Sequence, residues 1–269
     1  MSPDIDIRIS WSGIRNHEEC RQRSSLLRAG KRNPLGNLRS YFHGMVVDRA
    51  CRDWLADPAR VDGGMLAMID SLIDTEATRA RESGDGIVKW KSPGDRGELR
   101  AFCAELVQRL EPMLYEHVLP YPFQAGLRFA VPVSVPYLDG TPTTIHLVGE
   151  MDILVDHDGY RPLDLKGTKD GSYWRKVVGQ LVFYDLAVML LHQRRCHSAA
   201  LIQPMCTQPY LQFVFTDDDR RAMWARIIAM ASDIWRGEAS CTTDVNHCTF
   251  CSVRHACARF TPAAPFARA

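Results

Sequence analysis

Two stretches decide the fold of this chain: Gly149-Glu150-Met151-Asp152 and Leu163-Asp164-Leu165-Lys166. Each stands at or near the end of a short run with strand character, residues 143–155 and residues 160–165. The turn signal Asp156-His157-Asp158-Gly159 separates the two runs and predicts a hairpin. Such a hairpin brings the two aspartates together, although they lie twelve residues apart in the sequence.

The side chains at the end of this hairpin predict a cation site. Asp152 and Asp164 would repel each other strongly unless a cation lies between them. Lys166 lies two residues beyond Asp164, so on a strand it faces the same side. Two carboxylates and a lysine at one point are typical of metal-assisted phosphodiester hydrolysis. We expect both aspartates to hold one or two Mg²⁺ or Mn²⁺ ions, with the carbonyl of Leu165 as a further ligand.

Two predicted helices extend this pattern. One covers residues 172–193 and carries Gln180 and Tyr184, which lie four residues apart and share a face. The other covers residues 38–55 and carries His43. A histidine, G-x-x-D, D-x-K and Q-x-x-x-Y in this order resemble the PD-(D/E)XK nuclease superfamily, and more narrowly its RecB-like branch. The resemblance extends over about residues 10–259.

The resemblance implies roles for these residues, each with an alternative. His43 would be a metal ligand that favours manganese, or a histidine satisfied by packing. Gln180 would position Lys166 or a DNA phosphate. Tyr184 would touch DNA, or pack in the core with its hydroxyl bonded. Glu150 shares the face of Asp152 and is either an auxiliary ligand or a solvated charge at the strand end.

The cysteines predict a second metal site. Cys248, Cys251 and Cys257 have C-x2-C-x5-C spacing, which suits zinc and iron–sulfur alike. Cys241 is the nearest fourth ligand in the sequence. The segment resembles that of CRISPR-associated and phage RecB-like exonucleases with a four-cysteine [4Fe–4S] cluster, and this resemblance points to Cys20 instead. For zinc, three histidines offer alternatives: His17, His247 and His255.

Composition is that of an ordinary globular protein, with 46% hydrophobic and 24% charged residues and a formal net charge of +1. The residues contain no span of transmembrane length and no signal-peptide core, so we expect a cytoplasmic protein without membrane contact. Nine cysteines in a reducing compartment favour metal ligands over disulfides. The basic residues near the predicted site are well placed to meet phosphate: Lys166, Lys169, Arg175 and Lys176.

The order of helical and strand patterns predicts an α/β protein. By resemblance, a restriction-endonuclease-like mixed central sheet is flanked by helices, with an N-terminal helical region and a C-terminal cysteine cluster segment. We expect one nuclease domain over residues 1–260 and a flexible tail over residues 261–269. Within that domain, the predicted parts are a helical part at about 1–120, a core at 121–216, and a helix with the iron–sulfur segment at 217–260. A single helix is expected over residues 10–29.

The expected function is therefore a metal-dependent DNA exonuclease of the hydrolase class. The resemblance implies single-stranded DNA as the substrate, a polarity that is usually 5′→3′ in the family, and helicase or CRISPR adaptation proteins as partners. Recombination, repair, phage DNA metabolism and CRISPR adaptation all fit. The alternatives are a non-catalytic iron–sulfur DNA-binding accessory protein and a zinc-stabilised interaction module.

Overall fold

The structure, a computed structural model, describes residues 6–31, 42–59, 61–83, 87–92, 94–138, 140–242, 244, 248, 251–257 and 259. The α-helices in these ranges are α1 (Trp11–Glu19), α2 (Arg21–Arg28), α3 (Phe42–Ala56), α4 (Ile69–Glu82), α5 (Asp95–His117), α6 (Trp174–His192) and α7 (Asp217–Trp235). The strands are β1 (Ile7–Ile9), β2 (Phe123–Leu138), β3 (Thr141–Asp156), β4 (Tyr160–Leu165), β5 (Ala199–Ile202) and β6 (Tyr210–Phe213). Short 3₁₀ helices cover Gly64–Met68 and Arg254–Ala256. Within the same ranges, no helix has the length and apolar character needed to cross a membrane.

The strands form a mixed sheet in the order β1-β3-β4-β5-β6, and β2 pairs with β3. β1 runs parallel to β3 and β4 runs parallel to β5, whereas the pairs β3–β4 and β5–β6 are antiparallel. The predicted fold class, a mixed α/β arrangement with helices flanking a mixed sheet, is confirmed.

Strand β5 explains why helices cover the sheet on both faces. Its four residues are all buried, and successive side chains of a strand point to opposite faces. Ala200 and Ile202 belong to the core built with α3, α4 and α5. Ala199 and Leu201 pack instead with Val177 and its neighbours on α6. A strand that is apolar throughout therefore fixes a helical layer on each side.

The predicted hairpin is present as β3 and β4. Ile153 lies opposite Leu163 in the antiparallel register. The same register carried one residue further brings Asp152 opposite Asp164. The connecting turn ends at Gly159, whose φ of 120° is a conformation that side chains disfavour. Turn chemistry and strand pattern therefore set the register that joins the two aspartates.

The chain forms two compact units, one from Met1–Gly36, Ala130–Val148 and Trp224–Ala269, the other from Asn37–Phe129 and Gly149–Met223. In the first unit, residues near the two ends of the chain are bonded to each other. His17 Nε2 lies 2.8 Å from Asp233 Oδ2, and both side chains are buried. Arg226 donates two hydrogen bonds to the carboxylate of Glu18, at 2.6 and 2.7 Å.

The N-terminal segment differs from its prediction. The single helix expected over residues 10–29 is two helices, because Cys20 adopts an extended conformation with φ −166° between them. Ser10 caps α1 by accepting from the N–H of Gly13 at 3.1 Å. Strand β1, with both isoleucines fully buried, was not predicted. The expected tail over residues 261–269 and the expected helix start at residues 38–41 lie outside the described residues.

Candidate active site

The two aspartates and the lysine of the hairpin meet in the structure. Asp164 is fully buried, and its Oδ2 lies 2.5 Å from Nζ of Lys166. Asp152 Oδ2 accepts a hydrogen bond from the backbone N–H of Leu165 at 2.7 Å. Lys166 also donates to the carbonyl of Leu165 at 3.3 Å. Four of the five residues predicted to hold and use the ion are thus linked by direct contacts, with Asp152 joined through the N–H of Leu165.

The electrostatics of this cluster favour an added cation. Burial, and after it the charge of Asp164, raise the pKa of Asp152 to about 6. Burial raises the pKa of Asp164 as well, although Lys166 opposes this shift. Burial disfavours the charged form of Lys166, but the two aspartates outweigh it and its pKa is raised. One ammonium ion therefore faces two carboxylates that ionise with difficulty, and a further positive charge would ease their ionisation.

Asp48 of α3 is a third carboxylate at this site, and the sequence reasoning missed it. Burial raises its pKa to about 6, with the charge of Asp152 as the next cause. Arg52, one helical turn further, donates to the carboxylates of both Asp48 and Glu150. The signal was an acidic residue inside the otherwise apolar run at residues 45–47 and 50–51.

Glu150, for which two roles were open, has arginine partners. Besides Arg52, Arg128 donates from Nε to Glu150 Oε2 at 2.8 Å. The side chain of Arg128 is 82% exposed, so the outer part of this network of ion pairs lies at the surface. The carboxylate of Glu150 is therefore held by guanidinium groups beside the Asp152 strand.

A cavity of about 640 Å³ gives access to this cluster. Its lining includes His43, Gly44, Met45, Asp48, Asp152, Leu165, Lys166, Gly167, Thr168 and Tyr173. The His43 ring packs edge-on against Phe102, with the ring centroids 5.1 Å apart. A Cβ atom at Gly167 would lie 3.2 Å from Cδ2 of His43 and 2.7 Å from a methyl of Leu106. Because Gly167 has no side chain, the backbone that follows Lys166 can pass close to the His43 ring.

Gln180 and Tyr184 lie behind the strand that carries Asp152. Gln180 Nε2 donates to the hydroxyl of Tyr184 at 2.7 Å, and this hydroxyl donates to the carbonyl of Glu150 at 2.6 Å. Tyr184 is only 5% exposed, and burial raises the pKa of its hydroxyl. Neither side chain is among those that line the cavity. The pair thus forms a hydrogen-bonded relay to the backbone of β3.

The glycine of the G-x-x-D stretch has a packing reason. A Cβ atom at Gly149 would lie 2.7 Å from Cζ of Phe129, inside van der Waals contact. The Phe129 ring in turn stands edge-on to Tyr184, with centroids 6.2 Å apart. Gly149 therefore allows an aromatic ring to pack against the strand three residues before Asp152.

The donor set fits a divalent cation of the Mg²⁺ or Mn²⁺ type. Oδ1 of Asp48 and Oδ1 of Asp164 are buried and accept no hydrogen bond from the described residues. Carboxylate oxygens suit both ions, and an imidazole such as that of His43 suits manganese. No group of three His, Cys, Asp or Glu side chains that would suffice for a metal exists in the described ranges. Mg²⁺ commonly uses one or two carboxylates and retains several waters, which is the arrangement available here.

The predicted iron–sulfur ligands are not gathered into one group. Cys20 Sγ accepts from the N–H groups of Arg23 and Thr242, each at 3.4 Å. Cys248 Sγ lies 3.8 Å from the carbonyl of Asp244. Among the cysteines that the structure covers, no three are assembled as a metal site. The described residues therefore do not form the four-thiolate set that a [4Fe–4S] cluster needs.

Cys241, the alternative fourth ligand, lies beside Cys257. Their Sγ atoms are 3.8 Å apart. Burial, and then the contact with Cys257, raise the pKa of the Cys241 thiol. Of the histidines considered for zinc, His17 is bonded to Asp233 and His247 lies outside the described residues. The structure thus pairs Cys257 with the cysteine that local spacing suggested.

Comparison with known proteins gives a family. A family model described as PD-(D/E)XK nuclease superfamily matches residues 9–258. No curated protein matches the chain significantly. One similar solved structure is titled "Crystal structure of SSO0001"; it is 12% identical, covers 80% of this chain and 95% of its own, and has a TM-score of 0.38. That likeness is too low to support an argument. The family implies metal-dependent nuclease activity. Because the family model matches nearly the whole chain, the chain belongs to the PD-(D/E)XK nuclease superfamily.

Proposed function

We propose that this protein is a Mg²⁺- or Mn²⁺-dependent exonuclease that hydrolyses single-stranded DNA from an end. One observation carries the proposal: Lys166 contacts Asp164, both interact electrostatically with Asp152, and Asp152 and Lys166 line a cavity of about 640 Å³. The raised pKa values of both aspartates mean that these side chains alone are short of positive charge. The divalent metal ion of such a nuclease would supply that positive charge.

Asp152 and Asp164 would hold the ion, with His43 and the carbonyl of Leu165 as further ligands. Asp48 offers an additional carboxylate, because its unbonded Oδ1 is buried beside them. A bound divalent ion polarises the scissile phosphate and lowers the pKa of a coordinated water. These roles are proposals; their support is the donor chemistry, the cavity that Asp152, His43, Leu165 and Asp48 line, and the interaction of Asp152 with Asp164.

Lys166 is the proposed catalytic cation. Its pKa is raised, so its ammonium group stays charged throughout the neutral range. A charged donor fixed at this point would orient the attacking water or stabilise negative charge that develops on the phosphoryl oxygens. Its contact with Asp164 holds the ammonium in place before substrate arrives.

Gln180 and Tyr184 are proposed as positioning residues. Their relay ends on the carbonyl of Glu150, two residues before Asp152, and so it restrains the strand that presents the aspartate. The contacts with the lysine, a phosphate or DNA that the sequence suggested for this pair stay predictions.

The narrower assignment is also a proposal. We infer that residues 1–260 act as one RecB-like nuclease domain in the cytoplasm, with a [4Fe–4S] cluster held by Cys20, Cys248, Cys251 and Cys257. The C-x2-C-x5-C spacing and the two N–H groups directed at Cys20 Sγ support it. Zinc is the alternative metal. A 5′→3′ polarity and helicase or CRISPR adaptation partners follow from the same resemblance.

The test uses anaerobically purified protein and single-stranded DNA labelled at either end. We expect digestion with Mg²⁺ or Mn²⁺, none with EDTA, and none from Asp164→Asn or Lys166→Ala protein. Asp156→Asn is the matched control, because Asp156 is exposed on the same strand and lies outside the cavity. Full activity in the Lys166→Ala protein would refute the catalytic role. A brown, DNA-binding protein without cleavage would favour an accessory role. Zinc in a colourless protein would contradict the predicted iron–sulfur cluster.

A further inference from the structure

One pair of an aromatic ring and a cation lies at the catalytic cavity, and a second pair lies beside His43. Tyr173 lines the cavity, and Nζ of Lys176 lies 5.4 Å from the centre of its ring. Nζ of Lys169 lies 5.4 Å from the ring of Phe102, the residue against which His43 packs. Both lysines are exposed, and Tyr173 is partly exposed. An aromatic ring and an exposed positive charge thus occur together at the cavity.

The core fixes the position of the Tyr173 ring. Its backbone N–H donates to the carbonyl of Asp170 at 3.0 Å, immediately before α6 begins. Tyr173 and Trp174 both pack against the apolar cluster beneath α6. Trp174 also has Arg175 over its ring at 5.5 Å and lies 6.1 Å from the ring of Phe213. Trp174 therefore serves as support, and Tyr173 is the ring that reaches the cavity.

The positive charges beside this ring are available to a ligand. In the part of the chain that the structure describes, the ion pairs of this segment join Lys166 to Asp164 and Lys169 to Glu105, the latter at 3.9 Å. Arg175 and Lys176 form no such pair there, although Lys176 is close enough to Asp170 to help lower the pKa of that carboxyl, after the hydrogen bonds from Ser172. A phosphate group that enters the cavity would meet the ammonium group of Lys176 beside the Tyr173 ring.

We propose that Tyr173 and Lys176 form a contact that selects single-stranded over double-stranded DNA next to the cleaved bond. An unpaired base has a free face to stack on an aromatic ring, while the adjoining phosphate meets the ammonium group. In a duplex both faces of each internal base are already stacked, so the ring gains nothing from it. This inference rests on the proposed nuclease function and adds the group that chooses the substrate.

The experiment measures binding separately from cleavage. Fluorescence anisotropy with inactive Asp164→Asn protein would compare a labelled single strand with its own duplex. In this background, Tyr173→Leu should weaken single-strand binding by about 5-fold to 150-fold, the range for loss of one stacked base, and leave duplex binding unchanged. Tyr173→Phe keeps the ring and should bind normally. Tyr115→Leu is the control, because this tyrosine is 56% exposed but does not line the cavity.

Lys176→Ala supplies a second, independent readout. Loss of one phosphate contact should reduce the slope of log affinity against log salt by about 0.7 for a single strand. An unchanged slope, or a Tyr173→Leu protein that binds the single strand normally or loses both DNA forms equally, overturns the inference. Wild-type protein that cleaves no DNA with either metal overturns the proposed function instead. Binding is measured without cleavage, so failure of the inference and failure of the proposed function are distinguishable.

Discussion

Asp152→Asn should make the metal-free protein more stable at alkaline pH while abolishing cleavage. The pKa of Asp152 rises from an ordinary 3.8 to about 6 on folding, because its partly buried carboxylate is desolvated and lies near the charge of Asp164. A raised pKa means that the stabilisation from the protonated form is complete below about pH 4 and is lost as the pH rises through about 6. At about 1.4 kcal/mol per pH unit, ionised Asp152 costs about 3 kcal/mol of unfolding free energy at about pH 8.

Asparagine removes this cost and still offers an oxygen to the N–H of Leu165. Urea unfolding in EDTA should therefore show a variant that gains up to about 3 kcal/mol at about pH 8, and a gain that shrinks towards about pH 4. Asp156→Asn on the same strand is exposed and should change stability by less than about 0.5 kcal/mol. A variant less stable than wild type at alkaline pH, or a gain that is independent of pH, would contradict the reasoning.

Added metal should reverse the comparison. A ligand that binds only the folded state at about 100 times its dissociation constant stabilises by about 2.7 kcal/mol. With Mg²⁺ or Mn²⁺, wild-type protein should recover this stability at about pH 8, whereas Asp152→Asn protein should not. Equal stabilisation of both proteins would show that the ion does not bind at Asp152.

Three further substitutions test buried contacts in the unit that carries the site, by urea unfolding. Gly149→Ala should cost about 1–3 kcal/mol because its Cβ would lie 2.7 Å from Phe129, and a neutral result would show that the ring moves freely. Tyr184→Phe should cost about 1–3 kcal/mol by removing the relay to β3, and should weaken metal binding; unchanged metal affinity would refute its positioning role. Arg220→Ala should cost about 3–5 kcal/mol by leaving Asp185 buried without its guanidinium, whose bonds measure 2.6 and 3.2 Å; a loss below about 1 kcal/mol would contradict this.

Much of the fold followed from local patterns. The strand ending at Leu165 was predicted with its observed bounds, because a short strand-like run directly after a glycine turn leaves little freedom in register. The break at Cys20 was not predictable from periodicity, since helical character continues through it. Its thiol accepts an N–H from Thr242, a residue 222 positions away, and such a partner has no local signature.

The residues of the candidate site likewise include some that the sequence predicts and some that only the tertiary structure reveals. Asp152, Asp164 and Lys166 lie on one hairpin, so spacing alone brings them together. Asp48 and Arg52 come from a helix about a hundred residues earlier, and only the folded chain shows that they face the Asp152 strand. Sequence chemistry thus finds groups that share an element, whereas groups from distant elements require the tertiary structure.

The bond between His17 and Asp233 also has a consequence for synthesis on the ribosome. These residues lie 216 positions apart, so α1 emerges long before its partner is made. At about 5–20 residues per second, that interval is about 10–40 s. The residues from Asn37 to Met223 that form the catalytic unit are complete before Asp233 exists. A nascent chain could therefore assemble its catalytic centre before α1 obtains this partner, and α1 would wait until Asp233 has been made.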